Sequence, residues 1–254
     1  FPYTSLFRSV NSRAFDPLKL KVAAYYYNKA KTWGKEVTID TKDHAYLAGS
    51  VLDFEKMVRG PKDILPGVWE AEEPIGSTWG YSKANPVETF RSPGSVISLL
   101  CDVVSKGGNL LLNLSPDGDG EINQAQTTTL LAVGDWLKIN GDAIYGTHAW
   151  TQFSEGKGRD SWRFTVKGDD LYAIALFMPG QQVTITSLAT GKAPAGAITS
   201  VNLLGNDGPL KFTQDADGLN IQVPDHPVSK YALGSKISGL KMTLQRSKKP
   251  TSVN

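Results

Sequence analysis

The chain has 254 residues, 40% of them hydrophobic, which is enough for one large core or two ordinary domains and too apolar for a disordered segment. Its 27 basic and 25 acidic residues are interspersed and leave a formal charge of +2, with no arginine-rich stripe to neutralise a phosphate backbone, which argues against nucleic acid as a partner. No apolar run reaches the roughly 18 to 20 residues that span a bilayer; the longest, 96–104, is interrupted by Ser98, Cys101 and Asp102, and no membrane partner is expected.

The first segment reads as a helix over 18–31. Leu20, Ala23, Ala24, Tyr27 and Ala30 recur at helical spacing, Asp16 supplies an N-cap and Pro17 the first helical position. Trp33-Gly34-Lys35 ends it, and the β-branched run 36–40 reads as a short strand, giving the alternation of an α/β barrel or a doubly wound sheet. A weaker strand is expected over 51–54. From 56 to 76 proline, glycine and charge dominate, which reads as a loop longer than compact domains tolerate unless it borders a site. The next segment, 87–104, is helical through Val96, Leu99, Leu100 and Val103. Cys101, the only cysteine, falls on it; it excludes an internal disulfide and is expected to be a buried, inert thiol.

The run 105–120 combines an apolar strand with two glycine-rich turns. Leu110, Leu111, Leu112 and Leu114 form the near-continuous apolar run of a strand covered on both faces, and Pro116-Asp117-Gly118-Asp119-Gly120 is turn chemistry. The sequon Asn113-Leu114-Ser115 lies in that strand and is expected to stay unmodified. A helix over 123–140 follows, with Asn123 and Gln126 placed like a capping box, Leu130, Leu131, Val133, Trp136 and Leu137 on an apolar face, and Gly141 at a left-handed C-terminal position. After about Gly158 the pattern changes to short strands at 162–166, 171–176, 182–185, 198–204, 219–223 and within 231–244. Turns such as 167–170 and 215–218 separate them, as in an antiparallel sandwich.

Among groups that could carry chemistry, Glu55 follows the second strand, and Glu70, Glu72 and Glu73 cluster after Trp69. A carboxyl beside Phe54 and Met57 is expected to be desolvated, which raises its pKa and suits a general acid, so Glu55 leads. His44, His148 and His226 show no metal-ligand spacing, and Gly107-Gly108 fits neither a G-x-G-x-x-G nor a Walker pattern, so no metal and no cofactor are expected.

The stretch 105–120, continued through Asp135-Trp136-Leu137-Lys138-Ile139-Asn140-Gly141-Asp142-Ala143-Ile144-Tyr145-Gly146-Thr147 and preceded by Trp69-Glu70 and Ser77-Thr78-Trp79-Gly80-Tyr81, resembles the C-terminal barrel segment of the α-L-fucosidases of glycoside hydrolase family 29. The resemblance implies an α/β plus all-β architecture: the second half of a (β/α)8-type barrel over 1–150, then a C-terminal antiparallel β-sandwich over 151–254. It also implies an exo-glycosidase that hydrolyses α-L-fucosides with retention, through a covalent fucosyl-enzyme. Glu55, within Asp53-Phe54-Glu55-Lys56-Met57, matches the general acid/base, and Glu70 is the alternate because other branches use the carboxylate after the tryptophan. Trp79 matches the aromatic that packs against the C5 methyl of fucose, and Tyr81 in the same segment is taken with it as substrate-binding. Lys42, in Asp40-Thr41-Lys42-Asp43, sits where relatives often carry an arginine that reaches the sugar.

One part of the family pattern is missing. The nucleophile there is an Asp in a Trp-Phe-Asp-like stretch at a strand end, with fucose-binding histidines upstream, whereas Asp16 and Asp40 have the wrong neighbours. The expectation is that four early βα units lie outside this chain and that an N-terminal segment of the same enzyme supplies the nucleophile. A half barrel with two open edges should not be stable alone. The implied partner is a fucosylated oligosaccharide or glycoconjugate and the implied location extracellular. The alternatives are a non-catalytic, lectin-like fucose-binding relative, or a relative acting on another 6-deoxy or galacto-configured sugar.

Overall fold

The computed structural model describes residues 15–42, 51–56, 60–83, 89–158, 160–194, 196–225 and 229–242. Helix α1 (Asp16–Trp33) ends at Gly34 in a left-handed conformation (φ 63°), as expected. Its start differs from expectation: Phe15 is the cap, Asp16 is already helical, and its carboxylate accepts from Lys19 Nζ at 2.9 Å instead of capping. Only Lys19, Ala23 and Ala30 are buried on α1, while Leu18, Leu20, Val22 and Tyr25 stand in solvent.

Four parallel strands follow in sheet order β1-β2-β3-β4: β1 (Asp40–Thr41), β2 (Val51–Glu55), β3 (Val68–Pro74) and β4 (Asn109–Asn113). The strand expected over 36–40 shrinks to two residues because β1 is the sheet edge and pairs on one side only. The larger correction is β3. The segment read as a loop is an inner strand, and its glutamates are strand residues: Trp69, Ala71 and Glu73 are buried, while Glu70 and Glu72 point to the opposite face.

Helix α2 (Pro93–Ser105) packs on one face of this sheet and helix α3 (Gln124–Asn140) packs on α2. Trp69, wholly buried, wedges between sheet and α2 with Ala71, Leu99 and Val103, and its ring meets Phe54 edge-on at a centroid distance of 5.7 Å. A β-carbon on Gly60 or Gly108 would collide with that indole, which explains the glycines at both places. The other face of the sheet is open among the described residues, so β4 is not covered on both sides as expected, and Leu111 is exposed. On α3, Asn123 Oδ1 accepts from Gln126 N at 3.0 Å, one half of the expected capping box, whereas the Gln126 side chain turns to the Ser115 backbone and leaves the other half unmade. Gly141, by contrast, keeps right-handed dihedrals (φ −58°) and continues into a short 3-10 turn, where Ile144 N and Tyr145 N both reach its carbonyl.

The antiparallel part comprises β5 (His148–Lys157), β6 (Asp160–Lys167), β7 (Asp170–Ala175), β8 (Gln182–Ile185), β9 (Gly196–Leu203), β10 (Phe212–Gln214), β11 (Leu219–Gln222) and β12 (Leu233–Leu240). A five-stranded sheet, β5-β6-β7-β12-β9, packs on a three-stranded one, β10-β11-β8, forming the sandwich. Alternation along β6 and β7 makes the larger sheet two-faced. Trp162, Phe164, Val166, Leu171 and Ala173 enter the sandwich core, while Tyr172 and Ile174 join α2 and α3 in a second cluster with Val96, Val133 and Trp136.

Two polar links lock α3 to this sheet. Trp136 Nε1 donates to Ala232 O at 2.8 Å, and the buried Asn140 accepts from Gly234 N at 3.0 Å. Deeper still, Asp102 of α2 binds Arg163 Nε of β6 at 2.7 Å and Lys106 Nζ at 2.9 Å, all three residues being buried. Cys101 beside them is buried as expected, and burial pushes its thiol up to about 12, so it stays protonated. Removing one member of a buried charge cluster leaves the others desolvated and uncompensated. Asp102→Ala therefore lowers stability by about 3–5 kcal/mol, read from urea unfolding midpoints, while the exposed Asp135→Ala, which breaks only a surface pair with Lys138, changes it by under about 1 kcal/mol.

Candidate active site

Parallel strands end on one edge, so β1 to β4 deliver their C-terminal residues to a common rim, the side of such sheets that carries function. Lys42 follows β1, Glu55 closes β2, Trp79 lies five residues beyond β3, and Asn113 closes β4. Lys42 and Glu55 form an ion pair across β1 and β2. The environment expected for Glu55 is corrected here. Phe54 turns to the helix side, as neighbours along a strand must, so Glu55 faces Lys42 and not an apolar shell. Met57 lies outside the described residues.

Lys56 follows β2 with a left-handed backbone (φ 52°), unusual for a side chain with a β-carbon. Its amide donates to Glu72 O at 3.0 Å, and its ammonium sits 5.4 Å from the centroid of the Trp79 ring. The Trp79 carbonyl accepts from Asn113 Nδ2 at 2.8 Å and from Ser115 Oγ at 3.4 Å. Ser115 is itself clamped by the fully buried Gln126, which accepts from Ser115 N at 2.9 Å and donates to Ser115 O at 3.2 Å. Arg91 anchors the other end of the Trp79 segment, donating to buried Glu73 at 2.8 Å and to Pro74 O at 3.1 Å.

Lys42, Glu55 and, through Lys56, Trp79 are thus gathered on one rim, whereas Glu70 is not. Strand register sets Glu70 beside Asp53 and Glu72 beside Glu55, which places Glu70 one pleat, about 7 Å, below the rim. Tyr81, exposed, lines a small cavity beyond Trp79 together with Phe90 and Ser115. The sequence reading assigned no site role to the residues that hold the site, Asn113, Gln126 and Arg91; Gln126 entered it only as a capping residue. Asn113 drew notice only as part of a sequon, and an amide at the end of an apolar strand was the available signal. Among the described residues no group of His, Cys, Asp or Glu is arranged to hold a metal ion.

Residues 11–142 match the family model for alpha-L-fucosidase, and 158–243 match the model for the alpha-L-fucosidase C-terminal domain. The chain belongs to the alpha-L-fucosidase family. Human tissue alpha-L-fucosidase is 35% identical over 187 residues, 71% of this chain and 39% of that protein. Human plasma alpha-L-fucosidase is 31% identical over 79% of this chain and 43% of its own length. The crystal structure of Thermotoga maritima alpha-fucosidase superposes with a TM-score of 0.72 at 31% identity, covering 85% of this chain and 48% of the other. This fucosidase-family chain therefore spans less than half the length of these relatives, and its fold is part of a barrel followed by the C-terminal β-domain.

On the open face, Glu70 and Glu72 have pKa values raised above the ordinary carboxylate value of 4.5. Burial is the largest cause for both. Asp40, Asp53 and Glu72 add to it for Glu70; for Glu72, Asp53 and Asp40 add while Lys42 opposes. Between 4.5 and the folded values the native chain holds more protons than the unfolded one, so these groups erode stability as pH rises through that window. Glu70→Gln and Glu72→Gln accordingly raise the melting temperature of this chain near neutral pH, and the gain vanishes below 4.5. Melting curves at both pH values check it; a gain that persists in acid contradicts the electrostatic origin.

Proposed function

We propose that this chain forms the proton-donor side of an α-L-fucoside-hydrolysing site, with Glu55 as general acid and then general base in a retaining reaction. The observation that carries the reading is the position of Glu55: at the C-terminal end of a parallel strand, on the rim shared with Lys42 and the Trp79 segment. The family membership and the matching position of the same motif support it.

In the first half of the reaction Glu55 gives its proton to the glycosidic oxygen as the bond to the anomeric carbon breaks, and an aspartate from polypeptide beyond this sequence forms the bond to that carbon. In the second half, Glu55, now a carboxylate, takes a proton from the water that displaces the aspartate. Lys42 holds the Glu55 carboxylate in place between these roles and offers its ammonium to a sugar hydroxyl. The indole of Trp79, fixed through its carbonyl by Asn113 and Ser115, gives an apolar surface suited to the C5 methyl of a 6-deoxy sugar. The substrate is a fucosylated oligosaccharide or glycoconjugate.

Mutation separates the carboxylates. In the polypeptide that carries both halves of the site, Glu55→Gln lowers kcat/KM on a fucosyl disaccharide by about 10²- to 10⁴-fold and much less on a nitrophenyl fucoside, whose leaving group needs no proton; azide restores part of the latter. That signature in Glu70→Gln instead, with Glu55→Gln near normal, transfers the role to Glu70. Fucose binding by a wild type that hydrolyses neither substrate replaces the enzyme with a lectin-like relative.

A further inference from the structure

Glu55 sits in an ion pair with Lys42, which favours its ionised form, yet a general acid has to carry a proton. The sheet supplies an opposing charge. Across β2 and β3 the register pairs Glu55 with Glu72, and the ladder continues past them through Lys56 N, which donates to Glu72 O at 3.0 Å. Residues paired in neighbouring parallel strands point to the same face, with their backbones about 5 Å apart. Glu55 is therefore flanked on that face by an ammonium from the end of β1 and by a carboxylate from β3. Two carboxylates side by side do not ionise independently, because the second proton leaves a pair that already bears a charge and is held more tightly. The surroundings of Glu72 act in the same direction. It is half-buried, β4 sets the apolar Leu111 beside it, and burial first, then the charges of Asp53 and Asp40, raise its pKa above 4.5 against the pull of Lys42. Among the described residues the other charged groups on this face are Asp40 on β1, Asp53 on β2 and Glu70 on β3, with none on β4; Lys56 turns its ammonium to the Trp79 ring.

We propose that Glu72 is the positioning residue for the proton of Glu55: the two carboxylates hold one proton in common, and the charge of Glu72 keeps it on the acid against the pull of Lys42. The inference rests on the fucosidase reading above. When Glu55 gives that proton to the glycosidic oxygen, both carboxylates stand ionised beside one ammonium, and the repulsion between them favours the return of a proton from the attacking water to Glu55.

The test uses the polypeptide that carries both halves of the site and follows kcat/KM on a fucosyl disaccharide against pH, which falls on the alkaline side as the acid loses its proton. Glu72→Gln moves that fall about one pH unit lower, so the rate above it drops about ten-fold while the plateau below it stays. Glu72→Asp, which keeps the charge, holds the fall close to its wild-type position. Nitrophenyl α-L-fucoside, whose leaving group needs no proton, loses little with Glu72→Gln over the same range. Glu70→Gln, which removes a carboxylate from the same face one pleat away, moves the fall by less. Melting curves on the same preparations separate unfolding from the shift, since Glu72→Gln melts no lower than wild type. A fall that stays in place in Glu72→Gln, a loss equal at every pH and on both substrates, or an equal shift in Glu70→Gln overturns the proposal while leaving the fucosidase reading in place. A wild type inactive on nitrophenyl fucoside overturns the fucosidase reading itself, and the role of Glu72 with it.

Discussion

Alternation along β2 and β3 is the constraint on which the rest of the molecule depends. It sends Phe54, Trp69, Ala71 and Glu73 toward the helices, and Asp53, Glu55, Glu70 and Glu72 to the opposite face. The Trp69 indole secures the first set, pressed into space that only glycine at 60 and 108 leaves open. With that side fixed, the carboxylates have no choice of face. Register alone decides which of them reaches the rim: Glu55 does, and Glu72 lies beside it.

The sandwich stabilises the rim from behind. Its five-stranded sheet has apolar residues on both faces, one set for the smaller sheet and one for α2 and α3. Through Asp102 the charge of Arg163 is tied to Lys106, whose Nζ also donates to Pro61 O at 2.8 Å in the connection leading to β3. A continuous polar path thus runs from the β-domain to the segment that precedes the strand of glutamates. Such a path fixes the connection that leads to β3 against α2 and β6.

The Trp79 segment illustrates how backbone fixation serves a surface aromatic. A partly exposed indole on a loop would sample many positions, but its carbonyl is held by two donors from the end of β4, and the loop's far end is pinned by Arg91. The side chain that meets the sugar in our reading is therefore positioned by residues that never touch it. The same clamp, extended through Ser115 and Gln126, shapes the neighbouring cavity.

Local chemistry settled much of this in advance. Helical spacing marked α2 and α3, an asparagine cap opened α3, and turn residues separated the strands of the sandwich, whereas Glu55 was marked by the family resemblance around it. Tertiary packing decided what lacks a local signal. It made a strand of a glutamate-rich segment, because pairing with β2 and β4 outweighs the low strand propensity of glutamate. It set Lys42 against Glu55 across twelve intervening residues that carry no hint of the pairing. It also kept Gly141 right-handed, because the chain continues there into a 3-10 turn whose Ala143 carbonyl accepts from Thr165 of β6. The physical reason is common to all three: partners distant in sequence supply the free energy, and composition within a window does not reveal them.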